Sequence, residues 1–313
     1  MSKWTIKDLP ALKGRSVVIT GTGGIGYETA VAMARAGATV MLSGRNPAAG
    51  RAAVDRIRAA TLSADVSFEQ VDLADLASVA ALGERLRLEH DRRDLLINNA
   101  GVMAPPDKRL TKDGFELQFG TNFLGHFALT AHLMPLLRQG HKPRVITLGS
   151  IAANSSSIDF TNLNAERAYK PMVNYGQSKL ACVLFAFELQ RRSEAGGWGV
   201  ESIGAHPGVS RSDLITNSAE RWHFSSLMRT YLPFLFQPVA QGALPSLYAA
   251  TSENARPGGY YGPDRMGETR GNPVPAKVVD QARNPQVAAR LWDEAIRMTG
   301  VSFDGPARRS LSA

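Results

Sequence analysis

The chain of 313 residues contains one cysteine, Cys182. A single thiol excludes an intrachain disulfide framework and any cysteine-rich zinc module. No run of ~18 apolar residues occurs, so no membrane-spanning helix is expected. The opening residues, MSKWTIKDLP, form no apolar stretch and include Asp8 and Pro10. No signal peptide is therefore expected, and a reducing, cytoplasmic compartment follows as the default. No Gly-Lys-Ser/Thr follows a glycine-rich loop, which excludes a P-loop nucleotide hydrolase. His90, His126, His132, His141, His206 and His223 never pair at His-x-x-x-His spacing with a carboxylate, so no metal site is expected. Internal repeats and low-complexity segments are also missing.

What is present is ordinary for a globular protein. Hydrophobic residues make up 44% and charged residues 20%, values that exclude disordered, collagenous and coiled-coil chains. A chain of this length buries roughly three quarters of its unfolded surface and needs no covalent or metal staple. With 36 Lys+Arg against 28 Asp+Glu the net charge is +8. The basic residues are scattered rather than blocked, which favours a solvated surface over a nucleic-acid partner.

Short β-branched runs alternate with longer helical periodicities. SVVIT (16–20), TVMLSG (39–44), VSFEQVDL (66–73), DLLINNAG (94–101), RVITLGS (144–150) and VESIGAHPG (200–208) read as strand-then-turn units. Helical stretches occupy 27–37, about 47–60 and 76–90, and long helical segments precede the later strands. This alternation implies crossover helices and a doubly wound α/β fold, and the nearly continuous apolar character of the strands fits a parallel sheet covered on both faces. Strand units cease after about Gly208. Beyond it, QGALPSLYAA (241–250) reads as a helix, GGYYGPD (258–264) as a turn, and LWDEAIRMTG (291–300) as a last helix.

The first strand opens onto Gly21-Thr22-Gly23-Gly24-Ile25-Gly26, a G-x-G-x-x-G spacing followed by a helix. Glycines there permit a tight turn and let backbone N–H groups approach a pyrophosphate at the positive end of the helix. At the end of the second strand the chain reads Ser43-Gly44-Arg45-Asn46, with no carboxylate for a ribose 2′-hydroxyl. Arg45 can instead pair a 2′-phosphate, which favours NADP over NAD; the other reading is an exposed arginine after a strand. Tyr175 and Lys179 lie four apart in a helical stretch, so they share one face. A lysine cation beside a phenol stabilises phenolate, and such a tyrosine can exchange a proton with a carbonyl or alcohol oxygen. Taken alone, the pair is also what a surface Tyr and Lys would give.

Together these motifs resemble the short-chain dehydrogenase/reductase family, over about Leu12 to Thr299. The resemblance implies a Rossmann-like single domain and assigns roles residue by residue. Thr20-Gly21 through Gly26 resembles the cofactor loop, Asp72-Leu73 the pair that contacts adenine, and Asn98-Asn99-Ala100-Gly101 the turn supporting the central sheet. Asn122 matches the active-site asparagine, Ser150 the catalytic serine, and Tyr175 with Lys179 the catalytic pair. His206-Pro207-Gly208 resembles the turn lining the nicotinamide, continuing through Val209 to Ser212, where the family often has threonine. The insertion IDFTNLNAERAYKPMVNY (158–175), with QGALPSLYAAT and GGYYGPD, is similar to the retinol-dehydrogenase-like branch, which implies NADP and hydrophobic carbonyls or alcohols.

One departure stands out. The family loop has three residues between Thr-Gly and the last two glycines, whereas this chain has only Thr22 and Gly23. The loop is one residue short, so NADP preference rests mainly on Arg45 and NAD stays open.

The implied reaction is hydride transfer from NADPH to a carbonyl carbon. Ser150 would orient the oxygen, Tyr175 would protonate it, Lys179 would lower the tyrosine pKa and bind the nicotinamide ribose, and Asn122 would hold a relay water. A non-catalytic NADP-binding regulator with the same fold is the alternative, and the intact Ser150, Tyr175, Lys179 and Asn122 argue against it. Cys182, within the apolar LACVLFAF, reads as a packed core thiol. Length allows one domain or two, and the interlocking motifs select one. Residues 12–208 form the cofactor and catalytic core, 209–300 a helical extension on the substrate side, and 301–313 a frayed tail. The cluster of Trp222, Phe224, Leu227, Met228, Tyr231, Phe234 and Phe236 fits a lid over an apolar substrate, a dimer contact or a membrane-surface helix, with the lid preferred. A homodimer or homotetramer is implied by the family alone.

Overall fold

The structure, a computed structural model, describes residues 3–61, 63–210 and 237–303. Eight strands form one sheet in the order β3-β2-β1-β4-β5-β6-β7-β8. They are β1 (Ser16–Thr20), β2 (Thr39–Gly44), β3 (Val66–Gln70), β4 (Leu95–Asn98), β5 (Arg144–Leu148), β6 (Glu201–Ala205), β7 (Tyr260–Arg265) and β8 (Arg270–Pro275). The first seven run parallel, and β8 returns antiparallel to β7. All four residues of β4 are buried, as are the last four of β1, β5 and β6. That two-sided burial is why these strands read as apolar runs without alternation.

Local signals fix the helices of the first half. Asn46 caps α2 (Pro47–Ala60) by accepting from the Ala49 amide, with proline at the first position. Asp75 caps α3 (Leu76–Glu89) through the amides of Ala77 and Ser78. No side chain caps α1 (Gly24–Arg35). A short α4 (Leu117–Phe119) passes through a widened π turn (Gly120–Leu124) into α5 (Gly125–Leu137). The long α6 (Pro171–Gly196) is buried along most of its length. Beyond β6 come α7 (Val239–Gly242), α8 (Leu244–Thr251) and α9 (Pro285–Thr299), which ends at the left-handed Gly300. No described helix is long and apolar enough to cross a membrane.

The parallel α/β architecture agrees with expectation, but the reading that strands end near Gly208 does not. The segment read as a turn, 258–264, supplies most of β7, and 270–275 supplies β8. Their glycines and prolines disguise them. β7 pairs with β6 only through Tyr260 and Tyr261, so Pro263 lies past that ladder. Pro273 and Pro275 are tolerated because β8 is the edge strand. The apolar cluster 222–236, proposed as a lid, lies outside the described residues.

Two apolar cores flank the sheet. On one side α5, α6 and α9 meet in an aromatic cluster. The Phe127 ring stands 6.1 Å from Phe123, 5.6 Å from Phe185, 5.0 Å from Trp292 and 5.1 Å from Phe303, mostly edge to face. Phe127 is fully buried, so Phe127→Ala should cost about 3–5 kcal/mol of unfolding free energy. Urea unfolding followed by tryptophan fluorescence measures this, and a loss below about 1 kcal/mol would contradict the packing.

Candidate active site

The strand order reverses between β1 and β4. In a doubly wound sheet, ligands bind beyond the carboxyl ends of the strands at such a switch point. A cavity of about 610 Å³ lies there. The turns after β1, β4, β5 and β6 form its walls through Gly21, Asn99–Gly101, Gly149–Ile151 and Pro207–Ser210.

Ser150, Tyr175 and Lys179 all line this cavity. Ser150 follows β5 and caps the short 3₁₀ turn Ile151–Ser155, its Oγ accepting from the Ala152 amide at 3.2 Å. Tyr175 and Lys179 project from the second and third turns of α6 and are buried. Lys179 Nζ donates to the Leu148 carbonyl at 3.0 Å. An ammonium has three donors, so this bond leaves donors for a ligand in the cavity. Ser178, between the two, donates to the Tyr175 carbonyl at 2.7 Å and accepts from Asn122 Nδ2 at 2.9 Å.

Asn122 does not line the cavity. It is fully buried in the π turn behind Gly101 and Lys179. Its Oδ1 accepts from the Val102 amide at 2.7 Å, and its Nδ2 also donates to the Val102 carbonyl at 2.9 Å. The Asn122 main-chain carbonyl lies 2.8 Å from His126 Nδ1 and 3.1 Å from Cys182 Sγ. A carbonyl can only accept, so His126 carries its proton on Nδ1 and its Nε2 accepts. Nε2 lies 2.8 Å from Thr20 Oγ1. The Thr20 hydroxyl therefore donates to His126, and its lone pairs accept from the Asn99 and Ala100 amides at 2.8 and 2.9 Å. Burial holds His126 down at about 4, so the ring stays neutral. Burial also pushes the Cys182 thiol up, as suits a packed core cysteine rather than a nucleophile.

The residues fit a dinucleotide on three counts. First, α1 begins without a capping side chain and without an acid in its first turn, so its amides stay available to an anion. Second, Gly21 and Gly26 let the backbone close tightly. Gly21 has φ +96°, and a Cβ on Gly26 would press on Asn99 Nδ2 and the Gly21 carbonyl. Third, the buried Lys179 ammonium opens onto the same cavity.

The other expected residues divide. Gly21, Gly23, Gly24, Ile25, Asn99, Ala100, Gly101, Pro207, Gly208 and Val209 line the cavity. Thr22 and Gly26 sit behind the loop's inner surface, and Thr22 packs against Gly44. Arg45 is exposed on the next residue, at the rim beyond β2. Asp72 and Leu73 stand away from the cavity. Asp72 accepts from the Ala74 amide at 2.9 Å, and Leu73 packs against Gly125 of α5. Ser212 lies outside the described residues.

Sequence reasoning missed Met103, Ile151 and Met172, which give the cavity an apolar side, and the Thr20–His126 link. The insertion borders that side, where the Tyr169 hydroxyl donates to the Pro105 carbonyl at 2.6 Å. No spacing rule marks scattered apolar residues as lining a site. His126 did carry a signal: it stands four residues after Asn122 in a helical stretch, on the same face.

Comparison with known proteins follows the same lines. The short chain dehydrogenase family model matches residues 15–222. Mouse retinol dehydrogenase 12 is 39% identical over 297 residues, covering 94% of this chain and 89% of the mouse protein. Mouse polyprenol dehydrogenase is 38% identical over 298 residues, covering 93% of this chain and 86% of its own. A solved structure of an uncharacterized protein from Mycobacterium paratuberculosis is 37% identical with TM-score 0.79, covering 96% of this chain and 99% of that one. The Pseudomonas aeruginosa RhlG/NADP active-site complex shares the fold at TM-score 0.63 and 23% identity, covering 80% of this chain and 94% of that one.

His126 makes stability depend on pH. Its folded pKa is depressed from 6.5 to about 4, so its stabilising contribution is present above pH 6.5 and lost as pH falls through about 4. The gap corresponds to of order 3 kcal/mol. The stability difference between wild type and His126→Gln should therefore shrink as pH falls across this window, measured by urea unfolding at each pH. A difference that stays constant would contradict a neutral buried ring.

Proposed function

The chain belongs to the short-chain dehydrogenase family, in its retinol-dehydrogenase branch, and we propose on that premise that it interconverts a hydrophobic carbonyl compound and its alcohol with NADP(H). It is thus an NAD(P)-dependent oxidoreductase acting on CH–OH groups. The observation that carries the finer reading is the convergence of Ser150, Tyr175 and Lys179 on one cavity with the glycine loop. The apolar side chains of Met103, Ile151 and Met172 in that cavity favour a hydrophobic substrate. Relatives named for retinol and polyprenol make long apolar alcohols and aldehydes the first class to test.

In this reading, bound NADPH supplies the hydride that the carbonyl carbon accepts. The Ser150 hydroxyl donates a hydrogen bond to the carbonyl oxygen and holds it in line. The Tyr175 hydroxyl gives that oxygen its proton, completing the alcohol. The Lys179 cation steadies the phenolate left behind and reaches toward the nicotinamide ribose. Asn122 anchors the turn carrying Val102 and, through Ser178, the second turn of α6. Both Nδ2 hydrogens and one Oδ1 lone pair are engaged in these bonds, so Asn122 holds the walls of the relay and keeps one acceptor lone pair. Arg45, exposed beside the glycine loop, pairs the 2′-phosphate.

The chain works as one unit. Residues 12–208 hold cofactor and chemistry in this reading, and the described residues beyond 237 extend the sheet and add a core helix. The single, buried thiol of Cys182 accords with a cytoplasmic setting.

Two measurements test the proposal. Wild type should oxidise NADPH with an apolar aldehyde or ketone, read at the nicotinamide absorbance, whereas Tyr175→Phe should lose at least about a hundredfold in kcat, the scale of general acid catalysis. The variant should still bind NADPH. Equal turnover in Tyr175→Phe would overturn the mechanism, and binding without turnover in wild type would favour a regulator. Separately, Arg45→Asp should move the ratio of kcat/KM for NADPH over NADH toward NADH by at least about tenfold, or about 1.4 kcal/mol. An unchanged ratio would remove Arg45 as the phosphate reader.

A further inference from the structure

The cavity wall formed by Pro207–Ser210 is suspended from residues that follow it. The Val209 amide donates to the Thr269 carbonyl at 2.8 Å. Gln237 donates from its main chain to the Val209 carbonyl at 3.1 Å and from Nε2 to the Pro207 carbonyl at 2.5 Å. Gln237 Oε1 in turn accepts from the Gly271 amide at 3.1 Å. Gly208 is left-handed, with φ +66°, and a Cβ there would overlap the Thr269 carbonyl. The wall and the β7–β8 turn are thus in backbone contact.

Beneath this wall His206 is fully buried. Its ring packs 5.3 Å from the Tyr260 ring and so close over β7 that a Cβ on Gly262 would overlap it. The Gly208 amide donates to His206 Nδ1 at 3.3 Å. Nδ1 therefore accepts and the proton sits on Nε2. That nitrogen lies 3.2 Å from Glu268 Oε2, off the ring-nitrogen axis, while Glu268 Oε1 accepts from the Lys277 amide at 2.6 Å. The neighbouring His206 holds the Glu268 carboxylate below the usual carboxylate range.

The backbone that presents this carboxylate is strained. Met266, Gly267 and Glu268 are left-handed in succession, with φ of +50°, +64° and +67°. Each non-glycine residue there costs roughly 1–2 kcal/mol. A left-handed conformation is also what a tight hairpin between twisted antiparallel strands favours. Here it turns Glu268 inward, onto the one histidine under the wall. Strain of this kind persists where surrounding structure holds it, and it clusters at functional sites.

We propose that Glu268 is a positioning residue: by bracing His206 from the β7–β8 turn, it sets the Pro207–Ser210 wall of the cofactor cavity. It touches neither substrate nor cofactor. The inference rests on the reading of the cavity as an NADP(H) site and adds to it a residue outside the motifs.

The test uses the full chain with Glu268→Ala and Glu268→Gln. Glutamine keeps one acceptor oxygen, enough for the Lys277 amide or the His206 Nε2–H but not for both at their present positions, so it should restore part of what alanine loses. Glu268→Ala should raise the NADPH dissociation constant, read by fluorescence of the bound nucleotide, by about tenfold, or about 1.4 kcal/mol. In the cofactor-free protein it should also speed hydrogen exchange of the Gly208 and Val209 amides, with the melting temperature near wild type. Glu268→Gln should recover part of both effects. Unchanged affinity and exchange in Glu268→Ala would overturn the proposal. So would a loss that follows the melting temperature and that glutamine does not rescue. The exchange measurement needs no cofactor. A wild type that shows these responses but turns over no carbonyl would therefore sink the proposed reaction and leave the clamp standing.

Discussion

The hydroxyl of Thr20 joins three segments at the switch point of the sheet. It accepts from the amides of Asn99 and Ala100 and donates to His126, whose other ring nitrogen binds the Asn122 carbonyl. The glycine loop, the turn after β4 and the π turn of the α4–α5 helix are thereby fixed to one atom. Its burial raises the stakes, because a buried donor left without a partner costs about 1–3 kcal/mol. Two amides and a ring nitrogen depend on this one side chain. The Asn99 side chain, placed by the same contact, donates to the Thr20 carbonyl at 2.7 Å and fills the space over Gly21 and Gly26. From Asn122 the chain of bonds continues through Ser178 to the Tyr175 carbonyl. The loop that fits a pyrophosphate and the helix that carries the acid–base candidate are joined by direct contacts alone.

Such a chain is useful only if its far end is rigid, and α6 supplies the rigidity. Its first turns bear Tyr175 and Lys179, while Phe185 and Leu189 further along anchor it in the aromatic core. At its C-terminal end the Ser193 hydroxyl bonds the Val200 carbonyl at 2.6 Å, tying the helix to the entry of β6. A side chain mounted on a packed helix keeps its place within the tolerance that proton transfer demands, where a loop would not. Ser150 shares this property differently, since its own Oγ closes the turn it starts.

Much of this was legible in the sequence because the motifs are local. Gly21 through Gly26, Ser150 and the Tyr175–Lys179 spacing each sit at a strand end or on one helix face, and the parallel sheet itself is implied by alternating elements. What was not legible depends on distant partners. β7 and β8 are rich in glycine and proline, and only their position at the sheet edge makes them strands. Glu268 has no nearby residue in sequence to mark it, because its partner His206 comes from the end of another strand. His126 was weighed as a metal ligand and set aside, since nothing local shows that its two nitrogens face Thr20 and Asn122. Asp72 and Leu73 match the family pattern; in the structure Asp72 also bonds toward the start of α3 and Leu73 packs against α5.

The cavity is divided in character, and the division follows from which elements build each end. Toward β1 its lining is backbone, with glycines and uncapped amides suited to an anion. Toward the insertion it is formed by Met103, Ile151 and Met172. Methionine is unbranched and adapts to irregular apolar shapes. A flexible apolar end beside a rigid polar end can hold one kind of cofactor and a range of apolar chains. Ser150, Tyr175 and Lys179 line the same cavity as both ends, so the reacting groups need not change when the substrate's tail does.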